Sequence, residues 1–271
     1  MPPREVPASR SPKLPPLLYK YRPFDLRAIA DMAANRIFLS SPTRFNDAYD
    51  CRIPWTEFLS TEQLQKIAHN GGPFADTLRR LRDERPELFS SGWELNGDGF
   101  LHVRGLLVER FGALNNCGIC SLSAIASDLK MWAHYGDARR GFCLGFSTDF
   151  APFNDACCVG YVDSVQEVDA YRLLAGELDD AEAFDFLVTK SDIWREEREY
   201  RIFCDKPDTH MGYEVEAVRS LTFGDRTPIE HMVVSHSVLP AHVEFFVAGP
   251  TDDRFELEAL PVDRDVLERY R

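Results

Sequence analysis

The chain has 271 residues, of which 44% are hydrophobic and 12% aromatic, and its formal net charge is −13. This composition supplies enough apolar residues for a real core and excludes an intrinsically disordered protein. A uniformly acidic surface repels phosphate backbones, so we expect no extended non-specific binding of nucleic acids, whereas a local basic pocket for a small anion stays open.

The sequence predicts neither a secretory signal nor a membrane span. Residues 1–16 contain proline and arginine but no apolar segment, so we interpret them as a disordered tail before a single domain at 17–271. No stretch approaches the roughly 18 apolar residues that a membrane span requires. Seven cysteines without a signal favour reduced thiols in a cytoplasmic protein. Cys117 and Cys120 form a lone C-x-x-C pair, from which we expect core thiols and no metal site.

Apolar periodicity and turn-forming residues divide the chain into elements. In chain order these are a strand at Leu17–Arg22, a helix at 25–35, a strand at 37–40, a loop at 41–50, a helical insertion at about 60–113, a strand at Gly118–Ser123, a helix at 127–135, strands at 141–147 and 157–162, a mostly helical stretch at 169–194, a strand at Glu199–Cys204, and then strands at 220–223, 243–248 and 255–260 around a helix near 228–236. Few helical crossovers occur in the second half, which predicts an α+β fold with a mixed, mostly antiparallel sheet and flanking helices. Glycine motifs of dinucleotide-binding and P-loop folds do not occur.

Four segments carry residue types suited to chemistry, and the first is the end of the first strand. Strand alternation puts Lys20 and Arg22 on one face and Tyr19 and Tyr21 on the other. An arginine at a strand end can hold a phosphate through two parallel N–H···O bonds. The alternative is a solvated basic edge above buried tyrosines.

The second segment combines two serines with a polar loop. Ser40 and Ser41 lie at the end of a predicted strand, where a hydroxyl can orient a ribose. Asn46 and Asp47 follow in the loop and are candidates for the same nucleotide site. The alternative is that they brace their own loop through local backbone hydrogen bonds.

The third segment is the predicted helix that contains Trp132, His134 and Tyr135. Trp132 and Tyr135 lie three positions apart on one face, and His134 lies on the adjacent face. Aromatic rings beside a histidine can stack a planar ring such as adenine or nicotinamide. The alternative is a core helix with one satisfied histidine, because the sequence assigns no nucleophile or metal partner to His134.

The fourth segment surrounds Glu197, Glu199 and Arg201. If the chain is extended from Glu197 onward, these three side chains point to one face, where two carboxylates can bind hydroxyls and stabilise positive charge. If the segment stays helical, they form a charged exposed surface. The apolar alternation of Tyr200 and Ile202 favours the strand.

Together these segments resemble a bacterial family known as domain of unknown function 2971. The resemblance rests on LYKYR at 18–22, FLSSPTRFNDAYDC at 38–51, SLS at 121–123, MWAHYGDARRGFCLGF at 131–146 and WREEREYRI at 194–202. It covers roughly residues 17–204, and Ala48 replaces the proline that the family usually has after Asn-Asp.

The order of Arg22, Ser40-Ser41 and Glu197-x-Glu199 is also similar to the arginine–serine–glutamate triad of ADP-ribosyltransferases. This resemblance implies a fold built from a pair of small antiparallel sheets, a split sheet, and it implies NAD as the substrate. Arg22 would hold the NAD phosphates, Ser40 and Ser41 would position the nicotinamide ribose, Glu199 would be the catalytic carboxylate, and Glu197 would orient the acceptor. The other residues expected at the nucleotide are Tyr21, Asn46, Asp47, Trp132, His134, Tyr135 and Arg201.

Three functions stay open at this point. The first is NAD-dependent ADP-ribosyl transfer to an unknown protein or nucleic-acid acceptor, with a toxin or anti-phage role by analogy alone. The second is a non-catalytic module that binds NAD, a related nucleotide or a partner at the same residues. The third is a metal-dependent nuclease in which Asp47, Asp50, Glu197 and Glu199 hold Mg²⁺, a reading against which the net charge argues.

Overall fold

The computed structural model describes residues 13–51, 59–71, 74–114, 116–165, 169–178, 180–253 and 257–269, and its fold is α+β, as predicted. The strands are β1 (Leu17–Arg22), β2 (Arg36–Leu39), β3 (Phe89–Ser91), β4 (Glu94–Leu95), β5 (Gly118–Ser123), β6 (Phe142–Ser147), β7 (Cys157–Cys158), β8 (Gly160–Val162), β9 (Thr189–Ser191), β10 (Glu199–Cys204), β11 (Thr209–Gly212), β12 (Val218–Gly224), β13 (Glu244–Pro250) and β14 (Leu257–Pro261). The helices are α1 (Leu26–Ala33), α2 (Thr61–Asn70), α3 (Ala75–Glu84), α4 (Gly97–Leu114), α5 (Leu129–His134), α6 (Ala170–Ala175), α7 (Asp180–Leu187), α8 (Ile229–Val238) and α9 (Arg264–Glu268).

The described residues group into two compact units. The first unit consists of Met1–Ser41, Cys117–Tyr161 and Asp192–Arg271, and the second of Pro42–Asn116 and Val162–Ser191. The helical stretch predicted near 60–113 lies in the second unit, where α2 and α3 pack together through Leu64, Ile67 and Leu78. That residues 17–271 fold as a single domain stays a prediction.

Eight strands form one large sheet in the order β14-β13-β12-β6-β1-β5-β10-β7. Neighbouring strands in it run antiparallel except for β12 and β13, which run parallel. The predicted mixed, mostly antiparallel sheet is thereby confirmed. The split into a pair of small sheets stays a prediction, because the ladders join all eight strands and β1 meets β5 through one residue pair, Tyr19 and Ser123. A separate two-stranded sheet joins β2 and β11 in the first unit.

The register of the three strands β1, β5 and β10 decides which side chains share a face of the sheet. Tyr19 of β1 pairs with Ser123 of β5, and Ser123 pairs in turn with Glu199 of β10. Residues that pair directly across a ladder point to the same face, and side chains alternate along each strand. Glu199 and Arg201 therefore share the face of Tyr19, whereas Arg22 points to the opposite face.

Each face of the sheet packs against its own apolar cluster. The face that carries Leu18 and Leu122 forms the main core with Met32 of α1. The opposite face packs against α5 through Tyr21, Trp132 and other residues of a smaller cluster. Burial in this smaller cluster raises the pKa of the Cys143 thiol well above its usual value.

Part of the predicted N-terminal tail is held by the fold. Residues 1–12 lie outside the described residues, but the Thr148 hydroxyl donates to the carbonyl oxygen of Pro15 at 2.7 Å. The Thr148 backbone N–H donates to the carbonyl oxygen of Pro16 at 3.1 Å. The chain is therefore attached to the end of β6 from Pro15 onward, whereas the predicted tail extends to residue 16.

Gly141 lies directly before β6, where two backbone segments pass within contact distance. A Cβ atom at this position would lie 2.2 Å from the carbonyl oxygen of Arg22 and 3.0 Å from that of Gly136. Backbone cannot move aside as a flexible side chain can, so Gly141→Ala should lower the free energy of unfolding by about 2 kcal/mol or more in urea denaturation. The control is Gly105→Ala in α4, where a Cβ meets nothing within 4 Å and alanine should stabilise the helix by up to about 1 kcal/mol. Equal unfolding midpoints for both variants would contradict the close approach at Gly141.

Candidate functional site

The two carboxylates of the fourth segment lie in different local structures. Residues Asp192–Glu197 form a 3₁₀ helix, Arg198 follows with a left-handed φ of 44°, and β10 begins only at Glu199. The alternation expected from Glu197 onward therefore does not hold, because the turn at Arg198 separates Glu197 from the strand. Glu197 and Glu199 consequently have different partners.

Glu197 is buried and fixed through both its side chain and its backbone. The Tyr135 hydroxyl donates to Oε1 of Glu197 at 2.8 Å. The Ser123 hydroxyl donates to the carbonyl oxygen of Glu197 at 2.7 Å. The carboxylate therefore occupies a defined position beside the end of α5, which joins the third and fourth predicted segments.

Glu199 forms a buried, bidentate ion pair with Arg201. Nε of Arg201 donates to Oε1 of Glu199 at 2.7 Å, and Nη2 donates to Oε2 at 3.2 Å. The side chain of Arg201 is 0% exposed and that of Glu199 is 4% exposed. Two parallel charge-assisted bonds of this kind hold both groups in one orientation. The geometry thus makes Arg201 a partner of Glu199.

Trp132 and Tyr21 belong to the core on this face of the sheet. The indole N–H of Trp132 donates to the carbonyl oxygen of Ala126 at 2.9 Å, and the ring is fully buried. Its centroid lies 5.2 Å from that of Tyr21 in an edge-to-face arrangement. The Tyr21 hydroxyl donates to the carbonyl oxygen of Ile125 at 2.9 Å, and burial raises the pKa of this phenol. Trp132 and Tyr21 are therefore core residues, which is the alternative that the sequence analysis left open for both.

His134 and Trp194 bring two further rings to the Tyr135–Glu197 pair. His134 is exposed, and its ring centroid lies 6.3 Å from that of Tyr135 and 6.2 Å from that of Trp194. Lys130 of α5 forms an ion pair with Glu196 beside them. We call Tyr135, Glu197, His134 and Trp194 the aromatic–carboxylate site. Trp194 opens the WREEREYRI stretch of the fourth segment, but the sequence assigned it no role of its own.

Arg22 lies apart from this site. Its Nη1 is 3.8 Å from Oδ2 of Asp31 in α1, on the face of the sheet opposite Glu199. The structure therefore does not bring Arg22 to either carboxylate of the fourth segment.

The two predicted serines lie near the other end of β5. Ser40 forms a bridge with Ile119, with both N···O distances at 2.9 Å, and the Ser41 N–H donates to Asp208 at 3.1 Å. Ile119 stands four residues before Ser123, so the bridge lies about 13 Å along the strand from the Glu199 pairing position.

Asn46 and Asp47 belong to the second unit. Oδ1 of Asp47 accepts from the Tyr49 N–H at 2.9 Å, which is the loop-bracing role that the sequence left as an alternative. Of the four carboxylates considered for Mg²⁺, Asp47 and Asp50 lie in the second unit. Across the described ranges, no group of three or more His, Cys, Asp or Glu residues is arranged to hold a metal ion.

An open pocket of about 430 Å³ lies just after the end of β5, beside Tyr19 of β1 and the first residues of β14. Its lining includes Tyr19, Ala124, Ser127 and Glu258, and this volume is in the range of small-molecule sites. Burial, followed by the nearby Cys143 thiol, raises the pKa of the Tyr19 phenol, which therefore stays protonated at neutral pH. The Ala124 N–H donates to the carbonyl oxygen of Arg198 at 3.0 Å, so the pocket wall is attached to the turn between Glu197 and Glu199.

A family model described as protein of unknown function (DUF2971) matches residues 131–202. The match begins in α5 and ends in β10, so it contains both segments that form the aromatic–carboxylate site, and it supports the resemblance to that family. Comparisons with curated proteins and with solved structures give no match. In the part of the chain that the structure describes, no helix has the length and apolar character needed to span a membrane.

The Glu199–Arg201 pair generates a stability prediction. Arg201→Met leaves a buried carboxylate without its bidentate partner, so the free energy of unfolding should fall by about 3–5 kcal/mol in urea denaturation. The control is Arg198→Met, because Arg198 is exposed and its replacement should change stability by less than about 0.5 kcal/mol. Similar losses in both variants would show that the pair has no special role in stability.

Proposed function

We propose that this protein binds NAD or a related nucleotide through its nicotinamide–ribose end at the aromatic–carboxylate site. The observation that carries the proposal is the Tyr135–Glu197 hydrogen bond of 2.8 Å, which fixes a buried carboxylate beside the rings of His134 and Trp194. The family match over residues 131–202 includes all four residues of the aromatic–carboxylate site, two near its start and two near its end.

The chemistry of the site suits a planar ring that carries positive charge. The nicotinamide of oxidised NAD is such a ring, and cations are attracted to aromatic faces and to carboxylates. His134 and Trp194 supply rings that are accessible at least in part, whereas Trp132 is fully buried. The carboxylate of Glu197 is also an acceptor for ribose hydroxyls.

The pocket beside Tyr19 supports a ligand larger than nicotinamide. Its volume of about 430 Å³ is enough for a nucleoside-sized group, and its wall at Ala124 adjoins the carboxylate segment. Apolar and polar side chains are mixed in its lining, as in sites that hold a ring and orient it through hydroxyls. Tyr19 and Ser127 provide hydroxyl groups there.

Binding can be tested by calorimetric titration of NAD into the wild type, Tyr135→Phe and Glu197→Gln. Loss of a hydrogen bond to a charged group weakens binding by roughly tenfold or more, so Glu197→Gln should raise Kd by at least about tenfold. Glu196→Gln is the matched control, since it removes the adjacent exposed carboxylate and should leave Kd within about twofold. Absence of saturable NAD binding to the wild type, or equal effects of the two glutamine variants, would rule the proposal out.

NAD cleavage by an ADP-ribosyltransferase is a second candidate, favoured by the buried and oriented Glu197 carboxylate. Breaking the bond between C1′ of the ribose and the nicotinamide nitrogen leaves the electron pair on nicotinamide and positive charge on the ribose. A fixed carboxylate stabilises that charge as it develops. We assign this role to Glu197, because the Tyr135 hydroxyl orients its carboxylate near the rings of His134 and Trp194. A protein or nucleic-acid acceptor, and a toxin or anti-phage role, belong to this candidate only.

Nicotinamide release, followed by chromatography, separates the two candidates. A transferase should release nicotinamide from NAD in the wild type and lose at least about 100-fold in rate in Glu197→Gln, as when one preorganised charge-stabilising group is removed. Glu196→Gln should keep the rate, and Glu199→Gln should be compared only after its folding has been checked. Saturable NAD binding without release, both alone and with cell lysate as a source of acceptor, would leave the binding module as the function.

A further inference from the structure

Strand β14 forms one edge of the large sheet, and among the described strands it pairs with β13 alone. Its last four residues are exposed, including Leu260 at 55%. An edge strand carries unpaired N–H and C=O groups that can pair with another chain, and proteins commonly protect such edges with charges or prolines. This edge carries Glu258 and Pro261, and these two residues restrict the strands that can pair with it.

The hydrogen bonds between β13 and β14 determine which backbone groups of β14 face outward. Val262 follows β14, and its N–H donates to the carbonyl oxygen of Phe245 at 2.8 Å, which continues the register of the two strands. Backbone direction alternates along an antiparallel ladder, so every second residue counted back from Val262 also points toward β13. The residues between them point their backbone groups away from the sheet, and these are Leu257, Ala259 and Pro261.

These outward backbone groups can accept a further strand. In the described ranges none of them takes part in a hydrogen bond. The side chains of Glu258 and Leu260 lie beside them on one face of the sheet, since Leu257 packs on the other face in the smaller apolar cluster. An added strand must therefore offer acceptors to the N–H groups of Leu257 and Ala259, needs no acceptor for Pro261, and brings a side chain opposite Glu258.

We propose that β14 pairs with β14 of a second copy of this chain, antiparallel and centred on Ala259. In this pairing the two Ala259 residues exchange both backbone hydrogen bonds. Each Leu257 N–H donates to the carbonyl oxygen of Pro261 of the partner subunit, so the missing N–H of proline leaves only the Leu257 carbonyl without a donor. The edge is thus self-complementary, as an interface between two identical subunits around a two-fold axis must be.

Charge and hydrogen bonding select this register over its two neighbours. A pairing centred on Glu258 forms as many backbone hydrogen bonds, but it places the two Glu258 carboxylates directly opposite each other, which is destabilising. A pairing centred on Leu260 keeps only the bonds from Ala259 to Pro261 and therefore forms fewer. The pairing centred on Ala259 places Glu258 opposite Leu260 of the partner subunit and avoids both costs.

The same pairing reaches the open pocket of about 430 Å³, which Leu257 and Ala259 help to line. Residues that pair directly across a ladder point to the same face of a sheet. The partner's Pro261 therefore lies beside Leu257 at the rim of that pocket, so the second copy adds a residue there. The pairing itself is inferred from the edge strand alone and does not depend on the proposed function.

The test is sedimentation equilibrium from micromolar to millimolar protein, because an edge of 5 residues forms a small interface of low affinity. The wild type should form a reversible dimer. Ala259→Pro removes an N–H that faces outward, so it should keep the melting temperature and sediment as a monomer. A wild type that stays monomeric at every concentration, or Ala259→Pro that dimerises as the wild type does, would overturn the proposal.

Two variants of the exposed Leu260 test the register without altering the backbone. Leu260→Lys places an ammonium group opposite the partner's Glu258, whereas Leu260→Glu places a carboxylate there. The Kd of dimerisation should therefore be at least about tenfold lower for Leu260→Lys than for Leu260→Glu.

The controls are Leu101→Lys and Leu101→Glu, because Leu101 is an exposed residue of α4 and the changes in net charge are the same. Their Kd values should agree within about twofold, since salt screens charges that lie far from the interface. Equal Kd values for the two Leu260 variants would contradict the pairing centred on Ala259.

Discussion

The antiparallel register of β1, β5 and β10 decides on which side of the sheet each polar residue acts. Tyr19, Ser123 and Glu199 lie in one row across these strands. Arg201 therefore shares the face covered by α5, whereas Arg22 lies on the face covered by α1. A shift of one residue in the pairing would exchange the faces and expose the main core, so burial of that core holds the register. Two separate polar clusters follow from this constraint.

The two glutamates of the fourth segment show how burial determines the role of a carboxylate. A buried charge needs compensating partners, because transfer out of water is costly without them. Glu199 has a bidentate cation, and this pair is suited to holding β10 in place. Oε1 of Glu197 accepts from the Tyr135 phenol, which holds this carboxylate near the rings of His134 and Trp194. We therefore consider Glu197 the better candidate for contact with a ligand.

Elements with strict apolar alternation could be predicted from the sequence, and elements that depend on a partner strand could not. The bounds of β1, β5 and β10 agree with the prediction, because their alternating residues match a sheet with two buried faces. Asp25 caps α1 as expected, accepting from the Ala28 N–H at 2.7 Å. Strand β11 was missed, since Thr-His-Met-Gly has little intrinsic strand preference and becomes a strand only by pairing with β2.

The candidate site could be predicted as a set of segments but not as a set of contacts. Helical spacing put Trp132 and Tyr135 on one face, yet α5 ends at His134 and Tyr135 is its C-cap with φ −116° and ψ −18°. Helical spacing therefore does not apply to Tyr135, because this residue lies just beyond the end of α5. Its hydroxyl donates to Glu197, whereas Trp132 is buried in the core. The order of residues along the chain likewise does not show on which face of the sheet Arg22 lies. Its face follows from its position relative to Tyr19, and that of Glu199 from its pairing with Ser123 of β5. Inferring the arginine–serine–glutamate triad from chain order therefore assumes a particular register of β1, β5 and β10. That register is determined by contacts between residues far apart in the sequence, such as Tyr19 with Ser123 and Ser123 with Glu199.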